Sequence, residues 1–152
     1  EPYVKQKENN NTLIFRFDSE NITPVPLRLK VEVNCREHFS VLEYQEIVLS
    51  IDTRWFNGTA KIQTYKLEEL LGTKLRALYQ RKKARDLYDL YKAFILSSPN
   101  PDDVLTCYAS YMAFNKMKSP TKKQFVNNLK EKLLDEAFIG DTAALLRAWR
   151  RL

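Results

Sequence analysis

The feature that most constrains this chain is a single change of hydrophobic period near Tyr65. Upstream of it, LRLKVEVNCR places Leu27, Leu29, Val31, Val33 and Cys35 on one side and Arg28, Lys30, Glu32, Asn34 and Arg36 on the other. That two-residue repeat predicts a half-buried strand. Downstream, Leu67, Leu70, Leu71, Leu75 and Leu78 recur at the spacing of one helix face, and Leu87, Leu90, Tyr91, Phe94 and Ile95 continue it. Gly72 is expected to weaken the first of these helices slightly. A chain that switches once from strand to helix period reads as α+β: a sheet-forming part followed by a C-terminal helical bundle.

Turn chemistry divides the two parts further. TLIFRF, EIVLSID and AKIQTY read as additional strands, punctuated by Asn9-Asn10-Asn11, by Pro24 with Pro26 and by Asn57-Gly58. Trp55 to Gly58 reads as an exposed connection tied down by its aromatic rings. Ser97-Ser98-Pro99-Asn100-Pro101 is the strongest breaker. Beyond it, Asp102 or Asp103 is expected to cap a helix running to about Lys118, and Ser119-Pro120 to start another that buries Phe125, Leu129, Leu133 and Leu134. A last short helix is expected after Gly140-Asp141, using Leu145, Leu146 and Trp149. The expected regions are therefore 1–65 (strand-rich), 66–98 (helical) and 99–152 (terminal bundle).

Composition excludes several classes. With 152 residues and 44% hydrophobic content the chain can fill one ordinary domain core. Lys+Arg 25 against Asp+Glu 19 gives +6, and the pI near 9.3 favours anionic partners such as nucleotides or RNA. A lone histidine, His38, leaves no His-based zinc site or Cys-His nucleophile. Cys35 and Cys107 read as two buried thiols of a cytoplasmic protein. No apolar run reaches the roughly 18 residues of a membrane span.

The chemistry concentrates in KLRALYQRKKARDLYDL, from Lys74 to Leu90. On one continuous helix Lys74, Arg81, Arg85 and Lys92 would fall within roughly 20° of a common line, with Tyr88 and Asp89 beside it. If the chain instead breaks between Gln80 and Ala84, Arg81-Lys82-Lys83 closes one helix and Asp86 lies near the start of the next. Both arrangements gather cations and carboxylates in one place, as phosphate handling requires. A solvated charged face would use the same residue types.

The spacing Lys74-x-x-Ala77-x-x-x-Arg81-x-x-x-Arg85-Asp86-x-x-Asp89-Leu90 resembles the last signature motif of the AbiEii family, the nucleotidyltransferase toxins of abortive-infection toxin–antitoxin systems. The Lys30-x-Glu32 strand, earlier in the chain, is similar to the strand that carries the third metal-binding carboxylate in that family. The resemblance implies a nucleotidyltransferase-like sheet, transfer of a nucleotide from a nucleoside triphosphate to RNA or the tRNA end, and Mg²⁺ held in part by Glu32. It further implies that Lys30, Lys74, Arg81 and Arg85 meet phosphate and that Asp86 orients or deprotonates the acceptor. Asp89 would pin the arginines, and Tyr88 would offer a ring to a base. The implied partner is a cognate antitoxin of the AbiEi type acting as a transcriptional regulator.

One departure qualifies the match. Enzymes of this kind carry a Gly-Ser loop and an Asp-x-Asp pair before the third acid, and this sequence has no Asp-x-Asp. The chain therefore reads as the C-terminal part of a longer toxin, inactive by itself. The alternative is a non-catalytic basic helical module that binds RNA or a partner protein.

Overall fold

The computed structural model describes residues 1–20 and 22–142. It divides into two compact units, Glu1–Phe39 and the chain from Ser40 onward.

The first unit is an antiparallel meander of β1 (Tyr3–Lys7), β2 (Asn10–Asp18) and β3 (Pro26–Asn34), in that spatial order. Lys7 pairs with Asn10 across a two-residue turn, and β2 runs against β3 from Asn10↔Asn34 to Asp18↔Pro26. β1 escapes sequence reading because YVKQK is too polar and too short to alternate clearly. The register keeps the predicted alternation of β3, but the predicted half-burial is corrected. Leu29 is 53% exposed and Val33 47%, because among the described residues of this unit no second layer covers the face they share with Phe15 and Phe17.

The second unit opens with a separate hairpin of β4 (Tyr44–Asp52) and β5 (Asn57–Tyr65). Its turn is held by Thr53, whose hydroxyl accepts from the Trp55 and Phe56 N–H groups and donates to the Phe56 carbonyl. Trp55 is 78% exposed, so hydrogen bonding rather than aromatic burial fixes this connection. The strands thus form two small antiparallel sheets, and the helices that follow make the fold α+β.

Those helices are α1 (Leu67–Gln80), α2 (Ala84–Ser97), α3 (Pro101–Phe114), α4 (Lys122–Leu133) and α5 (Glu136–Gly140). Leu71, Leu78, Ala84, Leu90, Val104 and Phe138 form the core between them. Gly72 permits the close crossing of α1 and α3: a Cβ there would stand 2.6 Å from the Cys107 Cβ and 2.9 Å from the Tyr108 backbone nitrogen. A residue expected only to weaken α1 is therefore required by packing.

Several helix ends differ from expectation. Asn100, not an aspartate, caps α3 by accepting from the Asp102 N–H, with Pro101 in the first turn. α3 stops at Phe114. Thr121 caps α4 in a reciprocal capping box with Gln124, which outcompetes the Ser119-Pro120 start. Leu134 is 85% exposed because α4 ends before it, while α5, capped by Asp135, buries Phe138 instead. Cys107 is buried, with its thiol pushed up to about 11 chiefly by burial, whereas Cys35 is only half-buried. The helix expected around Leu145, Leu146 and Trp149 lies outside the described residues.

Candidate functional site

The chain breaks after Gln80, so the second of the two arrangements allowed by the sequence is the one formed. Arg81 leaves α1 in an extended conformation while its N–H still donates to the Ala77 carbonyl at 2.9 Å. Lys82 and Lys83 form the short connection, and α2 begins at Ala84 with Asp86 in its first turn, where a carboxylate suits the helix dipole.

This geometry folds the Arg81 side chain back onto Asp86. Arg81 Nε donates to Oδ2 at 2.7 Å and Nη2 to Oδ1 at 2.8 Å, a bidentate fork. Lys74, on the preceding helix, donates to Asp86 Oδ1 at 3.4 Å and to Asp89 Oδ2 at 2.6 Å. Asp86 is fully buried, whereas the Arg81 and Lys74 side chains are 51% and 37% exposed. Burial acts to raise the Asp86 carboxyl, but the Arg81 hydrogen bonds and charge, then Lys74, outweigh it and hold it below the usual carboxylate range. The same hydrogen bonds raise Arg81 further.

The neighbouring cations are also engaged. Lys82 pairs with Asp135 at 2.9 Å and Lys83 with Asp141 at 3.2 Å. Burial acts to raise Asp141, yet the Lys83 hydrogen bond, the Arg85 backbone and both cationic charges keep it low. Arg85 itself is exposed. Lys132 is buried and donates to the Leu78 and Tyr79 carbonyls, closing the C-terminus of α1 beside Arg81. Burial, then Lys82, lowers this lysine against the pull of Asp86. Sequence reading missed Lys132, Asp135 and Asp141, because nothing local marks partners more than fifty positions away.

Tyr88 stands elsewhere. It lines an apolar cavity of about 390 Å³ with Leu87, Tyr91, Leu133 and Phe138 rather than the row of cations. A second buried carboxylate, Glu69, was also missed. It accepts from Ser40 Oγ (2.8 Å), the Val41 and Leu42 N–H groups (2.9 and 3.0 Å) and the Tyr111 hydroxyl (2.8 Å). Burial opposes its ionisation, and those four donors still keep it low.

In the first unit, Glu32 lies on the polar face of β3, exposed and paired with Lys30 at 2.6 Å. Among the described residues no group of three His, Cys, Asp or Glu side chains could hold a metal ion. Glu32, already facing an ammonium, does not by itself make a divalent-metal site, which demands several oxygen ligands.

The profile of the family described as "Nucleotidyl transferase AbiEii toxin, Type IV TA system" matches residues 1–151. The chain belongs to the AbiEii family. Neither the curated proteins nor the solved structures contain a match to it. The AbiEii assignment brings nucleotidyl transfer as the family's chemistry, a divalent metal as its general requirement and, through the toxin–antitoxin system, a cognate antitoxin as partner. Among the described residues of this AbiEii chain, no helix is long and apolar enough to cross a membrane.

Proposed function

We propose that this AbiEii chain serves the transfer of a nucleotide from a nucleoside triphosphate to an RNA acceptor of the tRNA-end class, with Mg²⁺ as the metal. The observation that carries the reading is the Asp86 cluster, a buried carboxylate that fixes two cations whose outer sides face water. Nucleotidyl transfer develops negative charge on phosphate oxygens, and cations fixed in advance stabilise it without reorganising. Arg81 spends Nε and one terminal nitrogen on Asp86, so its remaining N–H donors are aimed and available. Lys74 is oriented likewise by two carboxylates, and Arg85 adds exposed charge.

Asp86 acts in this scheme as a positioning residue. Held below the ordinary carboxylate range and filled by cations, it is a weak base, and its service is to orient Arg81 and Lys74. Tyr88 would hold a base at the mouth of its apolar cavity. Glu32 would supply one oxygen ligand to the metal, which needs several. The biological setting is a cytoplasmic toxin of a phage-defence system, countered by an AbiEi-type antitoxin that acts on transcription.

A second reading, a basic module without chemistry, is favoured because no group of three possible metal ligands is found among the described residues. The two are separated by incubating radiolabelled nucleoside triphosphates, Mg²⁺ and total RNA with the protein expressed from its native gene. Labelled RNA, lost on Glu32→Gln and on chelation, is the expected result. No labelling establishes the module. The 152-residue chain by itself should leave RNA unlabelled, and labelling by it would overturn the argument from a single carboxylate.

A further inference from the structure

Lys74, Arg81, Lys82 and Lys83 around the α1–α2 connection are each matched by a carboxylate; among the described residues, Arg16, Arg28, Lys5 and Lys7 of the three-stranded sheet are not. The register of β1–β2–β3 sets the polar side chains in rows: Arg16–Arg28, then Tyr3–Ile14–Lys30, then Lys5–Thr12–Glu32, then Lys7–Asn10–Asn34. Each row contains a cation. Successive rows on one face are about 6.6–6.8 Å apart, so the stripe extends about 20 Å. Its acids are Asp18 and Glu32, and Glu32 is spent on Lys30 at 2.6 Å.

Arg16 and Arg28 stand directly opposite each other, both exposed. Like charges directly opposed on a sheet are destabilising. No ion pair to Arg16, Arg28, Lys5 or Lys7 occurs among the described residues, so the repulsion is left standing for an external anion. Tyr3, 61% exposed, lies between cationic rows on the same face. Cations along a track with an interposed ring are what single-stranded nucleic acid requires, phosphates meeting the charges and a base stacking on the ring. A stripe of this length outreaches the phosphates of one nucleoside triphosphate.

We infer that the polar face of β1–β2–β3 binds the backbone of single-stranded RNA, with Arg16 and Arg28 contacting phosphate and Tyr3 stacking a base. The inference rests on the reading of RNA as the acceptor and names the surface that takes it.

The test is fluorescence anisotropy of a short single-stranded RNA with the full chain, across salt from about 50 to about 200 mM. Arg16→Gln with Arg28→Gln should weaken binding about tenfold or more, and lower the log–log salt slope by about 1.4, at about 0.7 per phosphate contact. Lys122→Gln with Lys123→Gln, which removes the same charge, should change little. Tyr3→Ala should cost at least about fivefold with the slope unchanged. The arginine pair should also melt no lower than the parent, since its removal relieves repulsion. Equal losses in the two double variants would reduce the effect to diffuse charge and overturn the inference. A lower melting temperature in the arginine variant would make those residues structural and overturn it too. Displacement of the RNA by inorganic triphosphate at equal charge would reassign the face to triphosphate. Failure of the unsubstituted chain to bind RNA at low salt would instead remove the RNA reading itself.

Discussion

Two carboxylates, Glu69 and Asp86, are both fully buried in the helical unit, and both are held below the ordinary carboxylate range. Their partners differ in kind. Glu69 is sealed by neutral donors, two of them backbone N–H groups that cannot turn away. Asp86 is held by a guanidinium and an ammonium whose outer sides reach solvent. Equal burial therefore yields a rivet in one place and a mount for exposed charge in the other. What surrounds a buried acid, rather than how deeply it is buried, decides whether it is available to function.

The sharpest way to break this comparison is Glu69→Gln. The amide keeps one acceptor oxygen and turns its NH₂ toward two donors, one of them the Val41 or Leu42 N–H. Stability should fall by about 3 kcal/mol, the cost of unmet buried donors, as read by denaturant melts. Asp86→Asn should cost less, about 2 kcal/mol, because Arg81 and Lys74 can turn toward water. Its larger consequence should be functional: triphosphate affinity falls and the salt dependence of binding flattens, and Asp86→Glu restores part of both. A stability loss without a change in salt dependence would make Asp86 a rivet as well.

Acid should affect both sites alike. Because both folded-state values are depressed, their contribution is fully present above the unfolded carboxylate value and is lost as pH falls through the folded ones. Melting temperature should hold from about pH 7 to about pH 5 and drop below about pH 4. Constant stability down to about pH 3 would contradict the depressed values. The smallest effect belongs to Asp89→Asn. Its exposed pairing with Lys74 should contribute no more than about 0.5 kcal/mol by thermal melting, with a modest loss of triphosphate affinity as Lys74 loses one guide.

The period change at Tyr65 is legible because alternation and helical spacing are local properties, and so are the members of the Asp86 cluster, which lie within one short segment. Glu69 is not legible. Its donors come from positions 40–42 and from Tyr111, and no local pattern connects those to the first turn of α1. Gly72 is misread for the same reason, since propensity sees a helix interior and not the α3 backbone crossing it. The exposed apolar face of β3 shows that alternation reports which side is apolar, not whether anything covers it.

Arg81, Lys82 and Lys83 are consecutive, yet each is gripped by a different acid, Asp86, Asp135 and Asp141. The connection between α1 and α2 consequently behaves as a ruler with three marks. Adding or deleting one residue between Arg81 and Ala84 would put every mark out of step at once. The same change in the stretch from Asn115 to Pro120 would disturb none of them, so tolerance to insertion should differ sharply between the two joints.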